Sequence, residues 1–396
     1  MKNKIVVLAY SGGLDTSYSL KKLSSDGYQV HAITINTGGF STQEINQISK
    51  KATKLGAKKY KCISAITPFY NKIIKYLIFG NVLKNNTYPL SVSSERIIQA
   101  IEIVNYSNKI KANYISHGST GAGNDQVRFD QIFQILSPNT QIITLIRDNK
   151  LSREDEINYL KLKGVKIDWK KAKYSINKGL WGTSIGGSET LTSKLPLPEK
   201  AYPNQLKLKK DKKIKIEFEN GELISINSKK DSPINIIRQL QNIAKKYAIG
   251  RDIHVGDTII GIKGRVAFEA AAPLIIIKAH HLLEKHTLSK WQQFQKESIS
   301  NFYGMLLHEG QYFDPVMRDI ESFLSNSQKN VSGTVYLKLK PYSFDLEGIK
   351  SKNDLMHKGF GTYGEINNNW TATDVKGFIK INANAGKIYH KINKEK

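Results

Sequence analysis

Short apolar runs alternate with longer segments of helical spacing over the first 150 residues. The apolar runs predict five buried strands, at residues 5–9, 29–36, 58–65, 113–118 and 141–146. The intervening segments predict helices that begin near residues 14, 41, 67, 93 and 124. Because strands alternate with helices, the pattern favours an α/β fold built on a doubly wound parallel sheet.

The pattern changes after about residue 165. Residues 214–227 alternate between polar and apolar around Asn220-Gly221, which predicts a hairpin with a tight turn. Further strands are predicted within residues 257–270 and 332–341, and helices at residues 233–248 and 273–296. We therefore expect a first domain at residues 1–165, a second domain of the α+β type at 166–352 and a tail at 353–396.

The sequence AYSGGLDTS, residues 9–17, joins the first predicted strand to the first helix. Gly12 and Gly13 can adopt backbone angles closed to other residues, and they leave room for a ligand. The helix start supplies free N–H groups and a partial positive charge, and the neighbouring hydroxyls add donors. A tight turn without a ligand is the alternative for the glycine pair alone, but the whole string predicts a phosphate site.

A second loop, HGSTGAGNDQVR at residues 117–128, repeats this arrangement. It follows a predicted strand and leads into a helix that starts with Asn124, Asp125 and Arg128. A glycine-containing loop beside three polar side chains can enclose a small zwitterion, although an ordinary connection is the alternative. Because the carboxyl ends of parallel strands share one edge of a sheet, the two loops predict a single cleft.

The charge balance is strongly basic, with 60 Lys and Arg against 34 Asp and Glu and a net charge of +26. This charge is compatible with nucleic-acid binding, but the basic residues are dispersed, and a coding bias toward Lys, Asn and Ile explains them without a nucleic-acid partner. No run of 18 uncharged apolar residues occurs, so we expect a cytoplasmic protein with no membrane partner. The single cysteine, Cys62, excludes an internal disulfide and a multi-cysteine zinc site.

The two loops together resemble the argininosuccinate synthase family of ATP pyrophosphatases, in which the first loop has the form SGGxD[ST]. Three further segments resemble that family, YSINKGLWGTSIGG, GIKGRVAFEA and KGFIKI, at residues 174–187, 261–270 and 376–381. The resemblance spans nearly the whole chain. It implies arginine biosynthesis by condensation of citrulline and aspartate, with ATP converted to AMP and pyrophosphate. It also implies Mg²⁺, a nucleotide-binding first domain and a synthetase second domain. It further implies a homotetramer in which the C-terminal tail of each subunit contacts its neighbours.

The resemblance also implies roles for individual residues. Those implied to bind ATP are Ala9, Tyr10, Ser11, Gly12, Gly13, Leu14, Asp15, Thr16, Ser17, Ile35 and Gly118. Ser11, Asp15 and Thr16 are implied to be catalytic, with Asp15 in a second shell or linked to Mg²⁺, and no metal site built from the protein alone is expected. Those implied to bind aspartate are Thr120, Asn124 and Asp125. Those implied to bind citrulline are Tyr88, Ser93, Asn124, Arg128, Ser175 and Ser184.

Two positions leave the exact substrate open. Many relatives have a Glu and, twelve residues later, a Tyr that contact citrulline near its α-amino end, where this chain has Gly256 and Phe268. In one alternative, Asp257 or Glu269 holds the α-ammonium group. In the other, the substrate is an N-acylated citrulline, whose α-nitrogen carries no charge.

Two other functions compete with this one. A tRNA-modifying pyrophosphatase would use both the nucleotide loop and the positive charge, but such enzymes need reactive cysteines, and Cys62 stands alone in a predicted strand. A noncatalytic RNA-binding protein would leave both glycine loops without a role.

Overall fold

The computed structural model describes residues 4–165, 174–356, 361–365 and 368–394 of the chain. Its first sheet has five strands, β1 (Ile5–Ala9), β2 (Gln29–Asn36), β3 (Lys59–Ser64), β4 (Tyr114–Ser116) and β5 (Gln141–Ile143). They lie in the order β3-β2-β1-β4-β5, and every pair is parallel. The predicted α/β fold with a parallel sheet is confirmed.

Helices cover both faces of this sheet. They are α1 (Leu14–Ser25), α2 (Thr42–Lys54), α3 (Ile66–Phe69), α4 (Lys75–Phe79), α5 (Ser91–Lys109), α6 (Asp125–Leu136), α7 (Leu145–Asp148) and α8 (Arg153–Leu162), with a π-helical turn, Tyr70–Ile74, between α3 and α4. Val6 and Leu8 of β1 pack in one cluster with side chains of α1, α2 and α8. Val7 packs in a second cluster with side chains of α5. Successive residues of a strand point to opposite faces, so a strand covered on both sides is apolar throughout.

Two boundaries in this region differ from the predictions. The helix predicted to be capped by Thr67 begins at Ile66, and its N-cap residue, Ala65, makes no side-chain cap. Pro68 lies in the first turn, where its missing N–H costs no intrahelical bond. The strand predicted at 141–146 ends at Ile143, and α7 follows it.

Nine strands form two antiparallel sheets in the second part of the chain. They are β6 (Ser175–Gly179), β7 (Gly182–Gly186), β8 (Lys212–Glu219), β9 (Glu222–Ile226), β10 (Lys229–Lys230), β11 (Arg251–Asp257), β12 (Lys263–Glu269), β13 (Gly333–Lys340) and β14 (Ser343–Lys350). One sheet has the order β10-β9-β8-β13-β14, and the other has the order β11-β12-β7-β6. The predicted hairpin is formed by β8 and β9. Asn220 and Gly221 both have positive φ, 48° and 77°, as a two-residue hairpin turn with matching twist requires.

The remaining helices of this part are α9 (Pro233–Ala244), α10 (Ala271–Thr287), α11 (Lys290–His308) and α12 (Val316–Ser327), with 3-10 turns at Ser188–Leu191, Glu199–Ala201, Lys245–Tyr247 and Gln328–Asn330. The prediction of one helix over 273–296 is wrong. Leu288 is extended, and Ser289 forms a capping box with Gln292 that starts α11. The capping side chain satisfies N–H groups at a new helix start, so the chain turns there.

One apolar cluster runs from the first sheet into the second part of the chain. It includes Val7 of β1, Phe268 of β12, and many residues of α5 and α10. Because the buried side chains of these elements contact one another in this cluster, the elements pack against one another next to the first sheet. The predicted division at 165/166 adjoins residues 166–173, which lie outside the described residues, and it stays a prediction.

Two helices, α13 (Ala372–Asn382) and α14 (Asn384–Lys394), form the described end of the tail. No residue of either helix is buried. Among the described residues, no helix has the length and apolar character needed to cross a membrane.

Candidate active site

A large open cavity lies at the carboxyl edge of the parallel sheet. Its volume is about 1010 Å³, at the upper end of the range of roughly 300–1,000 Å³ that is usual for small-molecule sites. Both predicted loops line it, together with the hairpin of β6 and β7, the strands β11 and β12, and His308 at the end of α11. The first sheet and the second part of the chain therefore contribute to one site.

The first glycine loop has the geometry of an anion site. Gly12 has a φ of +78°, and Gly13 is the N-cap residue of α1 and has no side-chain cap. The Ser11 hydroxyl accepts a hydrogen bond from the Gly13 N–H at 3.3 Å and lies 3.2 Å from the Thr16 hydroxyl. The first N–H groups of an uncapped helix are left for a ligand, and their dipole favours a negative one.

Lys51 supports this loop from α2, and no motif in the sequence predicts that contact. Its ammonium group donates to the Gly12 carbonyl at 2.7 Å, and burial lowers the pKa of Lys51. The bond fixes the carbonyl of a residue in a left-handed conformation. It thereby orients the peptide that follows, whose N–H belongs to Gly13.

The second loop meets the first at Gly118. A Cβ on Gly118 would lie 3.0 Å from Thr16 Cγ2 and 3.1 Å from the Thr16 N–H nitrogen. Only a glycine allows this approach without a shift of the first loop. The far end of the second loop is tied to the second part of the chain, because the Asn124 side-chain oxygen accepts from the Ile259 N–H at 2.9 Å.

Asp125 lies between two arginines at the start of α6. Arg96 Nε donates to one carboxylate oxygen at 2.8 Å, and Arg128 Nη1 donates to the other at 2.9 Å. Burial would raise the pKa of Asp125, but the two guanidinium groups outweigh it and lower the pKa. Arg128 Nε donates to the His308 carbonyl at 2.8 Å, which leaves Nη2 without a hydrogen bond to a described residue.

An aromatic wall closes the other side of the cavity. Tyr88 is buried, its ring stacks on His254 at 5.3 Å between centroids, and it contacts Phe268 at 5.4 Å. The Tyr88 hydroxyl accepts from the Val92 N–H at 3.2 Å. Ser184 of β7 lies directly opposite Phe268 of β12, which brings this serine to the same wall.

The structure brings most of the predicted residues together. The predicted residues that line the cavity are Ala9, Tyr10, Ser11, Gly13, Asp15, Thr16, Ile35, Tyr88, Ser93, Gly118, Thr120, Asn124, Asp125, Arg128, Ser175 and Ser184. Gly12, Leu14 and Ser17 do not line it. Leu14 and Ser17 are buried, and Ser17 lies 3.4 Å from the Tyr10 hydroxyl, so these two support the loop from behind.

Asp15 faces a second carboxyl that the sequence analysis missed. Glu156 of α8 is buried, and its Oε2 has no hydrogen-bond partner in the described chain. Burial, followed by the charge and hydrogen bonding of Asp15, raises the pKa of Glu156 to about 8. Glu156 is therefore protonated at neutral pH, next to Asp15 of the glycine loop.

We expect Asp15→Asn to lower turnover at least about tenfold, which corresponds to roughly 1.4 kcal/mol of barrier, while the fold is kept. The amide removes the only acidic side chain in the first turn of α1 that faces the cavity. Steady-state kinetics with circular dichroism checks this. Asp26→Asn is the matched control and should keep wild-type rates, because Asp26 lies at the other end of α1, where it pairs with Lys22. A wild-type rate for Asp15→Asn would remove Asp15 from the site.

Glu95 is a second buried carboxyl on the cavity wall. Its Oε2 accepts from the Thr37 hydroxyl at 2.8 Å, and its Oε1 has no hydrogen-bond partner among the described residues. Oε1 lies against the backbone of Gly179, where any Cβ would collide with it. Burial raises the pKa of Glu95 to about 8. The neutral acid thus joins the end of β2, the start of α5 and the hairpin of β6 and β7.

The pKa of Glu95 predicts a pH dependence of stability. The unfolded chain loses this proton near pH 4.5 and the folded chain near pH 8, so the free energy of unfolding falls between these values as pH rises. At about 1.4 kcal/mol per pKa unit, the loss is on the order of a few kcal/mol. In urea titrations at pH 5, 7 and 9, Glu95→Gln should flatten this decline. If the free energy of unfolding falls equally with pH in the wild type and in Glu95→Gln, the prediction is contradicted.

Polar residues at buried helix positions were the signal that was missed here. Residues 91–96, SVSSER, start α5 with four polar side chains that are buried, one of them Glu95. Arg96 follows directly and binds Asp125. A buried polar group needs a partner or a ligand, so such a run marks a site wall.

The fold and the loops together define a class of protein. The family model for the N-terminal HUP domain of argininosuccinate synthase matches residues 5–166, and the model for its C-terminal domain matches residues 174–389. The parallel five-stranded sheet with a glycine loop after β1 is thus a HUP nucleotide-binding domain, joined to a synthase domain with antiparallel sheets.

Curated relatives agree over the full length. The chain is 35% identical to the argininosuccinate synthase of Methanocaldococcus jannaschii, over 99% of this chain and 100% of that one. It is 34% identical to that of Dictyoglomus thermophilum, over 96% of each, and 36% identical to that of Dehalococcoides mccartyi, over 95% and 93%. The chain belongs to the argininosuccinate synthase family.

Proposed function

We propose that the cavity condenses a citrulline with aspartate at the expense of ATP, which yields argininosuccinate, AMP and pyrophosphate for arginine biosynthesis. The observation that carries this proposal is the contact between the two glycine loops at Gly118 and Thr16. This contact supports a phosphate site and an amino-acid site that lie side by side. Family membership supports the same reaction.

The chemistry needs positioning more than it needs a nucleophile. A ureido carbon is unreactive, so its oxygen first attacks the α-phosphate of ATP, and pyrophosphate leaves. The aspartate amine then attacks the activated carbon, and AMP leaves. Holding reactants in line contributes effective molarities on the order of 10⁵ M or more. A cavity lined by many hydrogen-bond donors suits this reaction.

On the nucleotide side, the uncapped start of α1 and the Ser11 and Thr16 hydroxyls would hold the phosphates. Ile35, at the end of β2, would contact the adenine, and Gly118 would allow the adenylate to approach the second loop. Each of these residues lines the cavity. Lys51 acts indirectly, through the Gly12 carbonyl.

On the amino-acid side, Arg128 Nη2 would bind the citrulline carboxylate, with Tyr88, Ser93, Asn124, Ser175 and Ser184 around the rest of that molecule. Thr120, Asn124 and Asp125 would bind aspartate. Both Asp125 oxygens already accept from arginines, so Asp125 would hold the aspartate ammonium through its remaining lone pairs while it orients Arg128.

Magnesium would enter with the nucleotide. The described residues hold no group of three or more His, Cys, Asp or Glu side chains that could bind a metal alone. Mg²⁺ commonly uses one or two carboxylates and the phosphates of its substrate, and Asp15, which lines the cavity beside the glycine loop, fits that role. The ion would neutralise phosphate charge, while the protein's own donors orient the reacting groups.

Isotope exchange between pyrophosphate and ATP tests this proposal. Because the ureido oxygen reacts first, labelled pyrophosphate should enter ATP when the ureido substrate is present and aspartate is absent. Exchange with no ureido substrate, or exchange that requires tRNA, would overturn the proposal.

The rival sulfur-transfer function has no support at Cys62. The thiol is half-buried in β3, and burial raises its pKa. A raised thiol pKa disfavours the thiolate that sulfur carriers use.

The proposal includes a cytoplasmic homotetramer. All of α13 and α14 is exposed, and apolar side chains such as Phe378, Ile381 and Ile392 are more than half exposed. Exposed apolar surface of this kind marks an interaction site. Sedimentation of the chain with and without residues 368–396 tests the tail's part in assembly. An equal number of chains per assembly in the two proteins would exclude that part.

A further inference from the structure

The structure bears on which citrulline the cavity accepts, an inference that rests on the proposed function. Citrulline has an α-carboxylate and an α-nitrogen on the same carbon. If Arg128 binds the carboxylate, the nitrogen must lie within a few bonds of that guanidinium group. The groups that surround Arg128 therefore decide whether the nitrogen can be a cation.

Among the described residues, every carboxylate in the cavity lining is distant from Arg128, uncharged at neutral pH or already committed to another partner. The described carboxylates that line the cavity are Asp15, Glu44, Glu95, Asp125 and Asp257. The first two lie at the glycine loop and at the start of α2, where Glu44 caps the helix with Ser41. Burial raises the pKa of Glu95 to about 8, so Glu95 is uncharged at pH 7. Asp125 binds two arginines and is assigned to the ammonium group of aspartate.

The two carboxylates that the sequence offered as substitutes are engaged. Asp257 is exposed and lies 2.5 Å from Lys263 Nζ. Glu269 does not line the cavity. It is buried, it accepts from the Asn204 side chain and it lies 3.6 Å from Arg251 Nε. The strand alternation explains this, because Glu269 follows Phe268, whose ring faces Tyr88.

Besides Asp125 and Asp257, the groups that face this end of the cavity are basic. His254 and His308 both line it. Burial lowers the pKa of His254 to about 4, and the charge of Lys84 contributes. Burial is the main cause that lowers the pKa of His308 to about 3. The electrostatic effects of Arg128, Lys84 and His254 act in the same direction. Both imidazoles are neutral at pH 7, and a further cation would meet the same positive field.

His254 occupies the space beside Gly256. Its Nε2 lies 2.7 Å from the position that a Cβ on Gly256 would take. Its Nδ1 is buried and has no hydrogen-bond partner in the described chain. A neutral imidazole carries one N–H, and with the proton on Nε2 the ring presents beside Gly256 a donor that pairs with a carbonyl oxygen.

We propose that the ureido substrate is an Nα-acylated citrulline, whose acyl carbonyl accepts from His254 Nε2 beside Gly256. The reaction keeps its balance, since ATP, Nα-acylcitrulline and aspartate give Nα-acylargininosuccinate, AMP and pyrophosphate. The C–N bond to aspartate forms as the C–O bond to AMP breaks, and the amine proton passes to the medium. The acyl group takes no part in the chemistry.

The test compares kcat/KM for citrulline, Nα-acetylcitrulline and Nα-succinylcitrulline with the full-length protein, ATP and aspartate. At least one acylated substrate should exceed free citrulline by tenfold or more. Equal or better use of free citrulline overturns this inference and leaves the proposed function standing. If none of the three gives aspartate-dependent AMP and pyrophosphate, the proposed function itself fails.

His254→Phe keeps a ring against Tyr88 and removes the donor. It should lower kcat/KM for the preferred acylated substrate at least tenfold, mainly through KM, and lower that for free citrulline by a clearly smaller factor. His281→Phe, on α10 and outside the cavity lining, is the matched control. An equal loss for both substrates in His254→Phe would show that the ring is only structural, and would overturn the role of His254.

Discussion

Gly118→Val should abolish most activity, with kcat/KM reduced at least about a hundredfold, or roughly 2.7 kcal/mol of barrier. The reason is the closeness of the two loops. A Cβ at Gly118 already stands 3.0–3.2 Å from Thr16 Cγ2, the Thr16 nitrogen and the Asp15 carbonyl carbon. The two further methyl groups of valine must displace the backbone of the first glycine loop, where we propose that the phosphates bind.

The same loop supplies a graded series and a control. Gly118→Ala should have an intermediate effect, because one methyl needs a shift of only a few tenths of an ångström. Gly121→Ala is the control, since its Cβ would lie 3.6 Å from Arg147 Cγ, an ordinary contact, and Gly121 does not line the cavity. The measurement is steady-state kinetics with ATP varied. Wild-type kinetics for Gly118→Val would mean that the loops do not meet around the substrate.

Lys296→Met should cost about 3–5 kcal/mol of unfolding free energy, because it leaves a buried carboxylate without its counter-ion. Lys296 Nζ lies 2.8 Å from Glu284 Oε2, and both side chains are at most 3% exposed. Asn81 and Gln328 also donate to Glu284. These bonds join α10 and α11, and the end of α11 carries the His308 carbonyl that Arg128 binds.

Urea denaturation measures this loss, and Lys285→Met provides the matched control. Lys285 is exposed and follows Glu284 directly. A surface change of this kind usually stays within about 0.5 kcal/mol. A loss below 1 kcal/mol for Lys296→Met would mean that Glu284 is neutral in the folded protein and needs no counter-ion.

The sequence predicted the first sheet well because its signals are local. The runs at residues 5–9 and 29–36 coincide with β1 and β2, and the capping box of Ser41 and Glu44 starts α2. Each of these features depends on a few consecutive residues. The break between α10 and α11 was missed because an apolar period continues across Ser289, and only the capping box shows the turn.

The site was predictable where a motif carries it and hidden where distant residues meet. The two glycine loops predicted that Ser11, Gly118 and Arg128 lie at one cavity, and all three line it. Lys51, Glu156 and His308 reach the same site from other elements, so no spacing in the sequence relates them to it. Glu269 shows the opposite error, because a carboxylate near the motif in sequence points away from the cavity.

Transfer of the ureido oxygen tests the central claim most directly. The protein is incubated with ATP, aspartate and citrulline or Nα-acetylcitrulline labelled with ¹⁸O at the ureido oxygen, and the products are analysed by mass spectrometry. The account predicts AMP that carries the label, with equal amounts of pyrophosphate and the argininosuccinate or its acylated form. Formation of ADP, or AMP without the label, would contradict it.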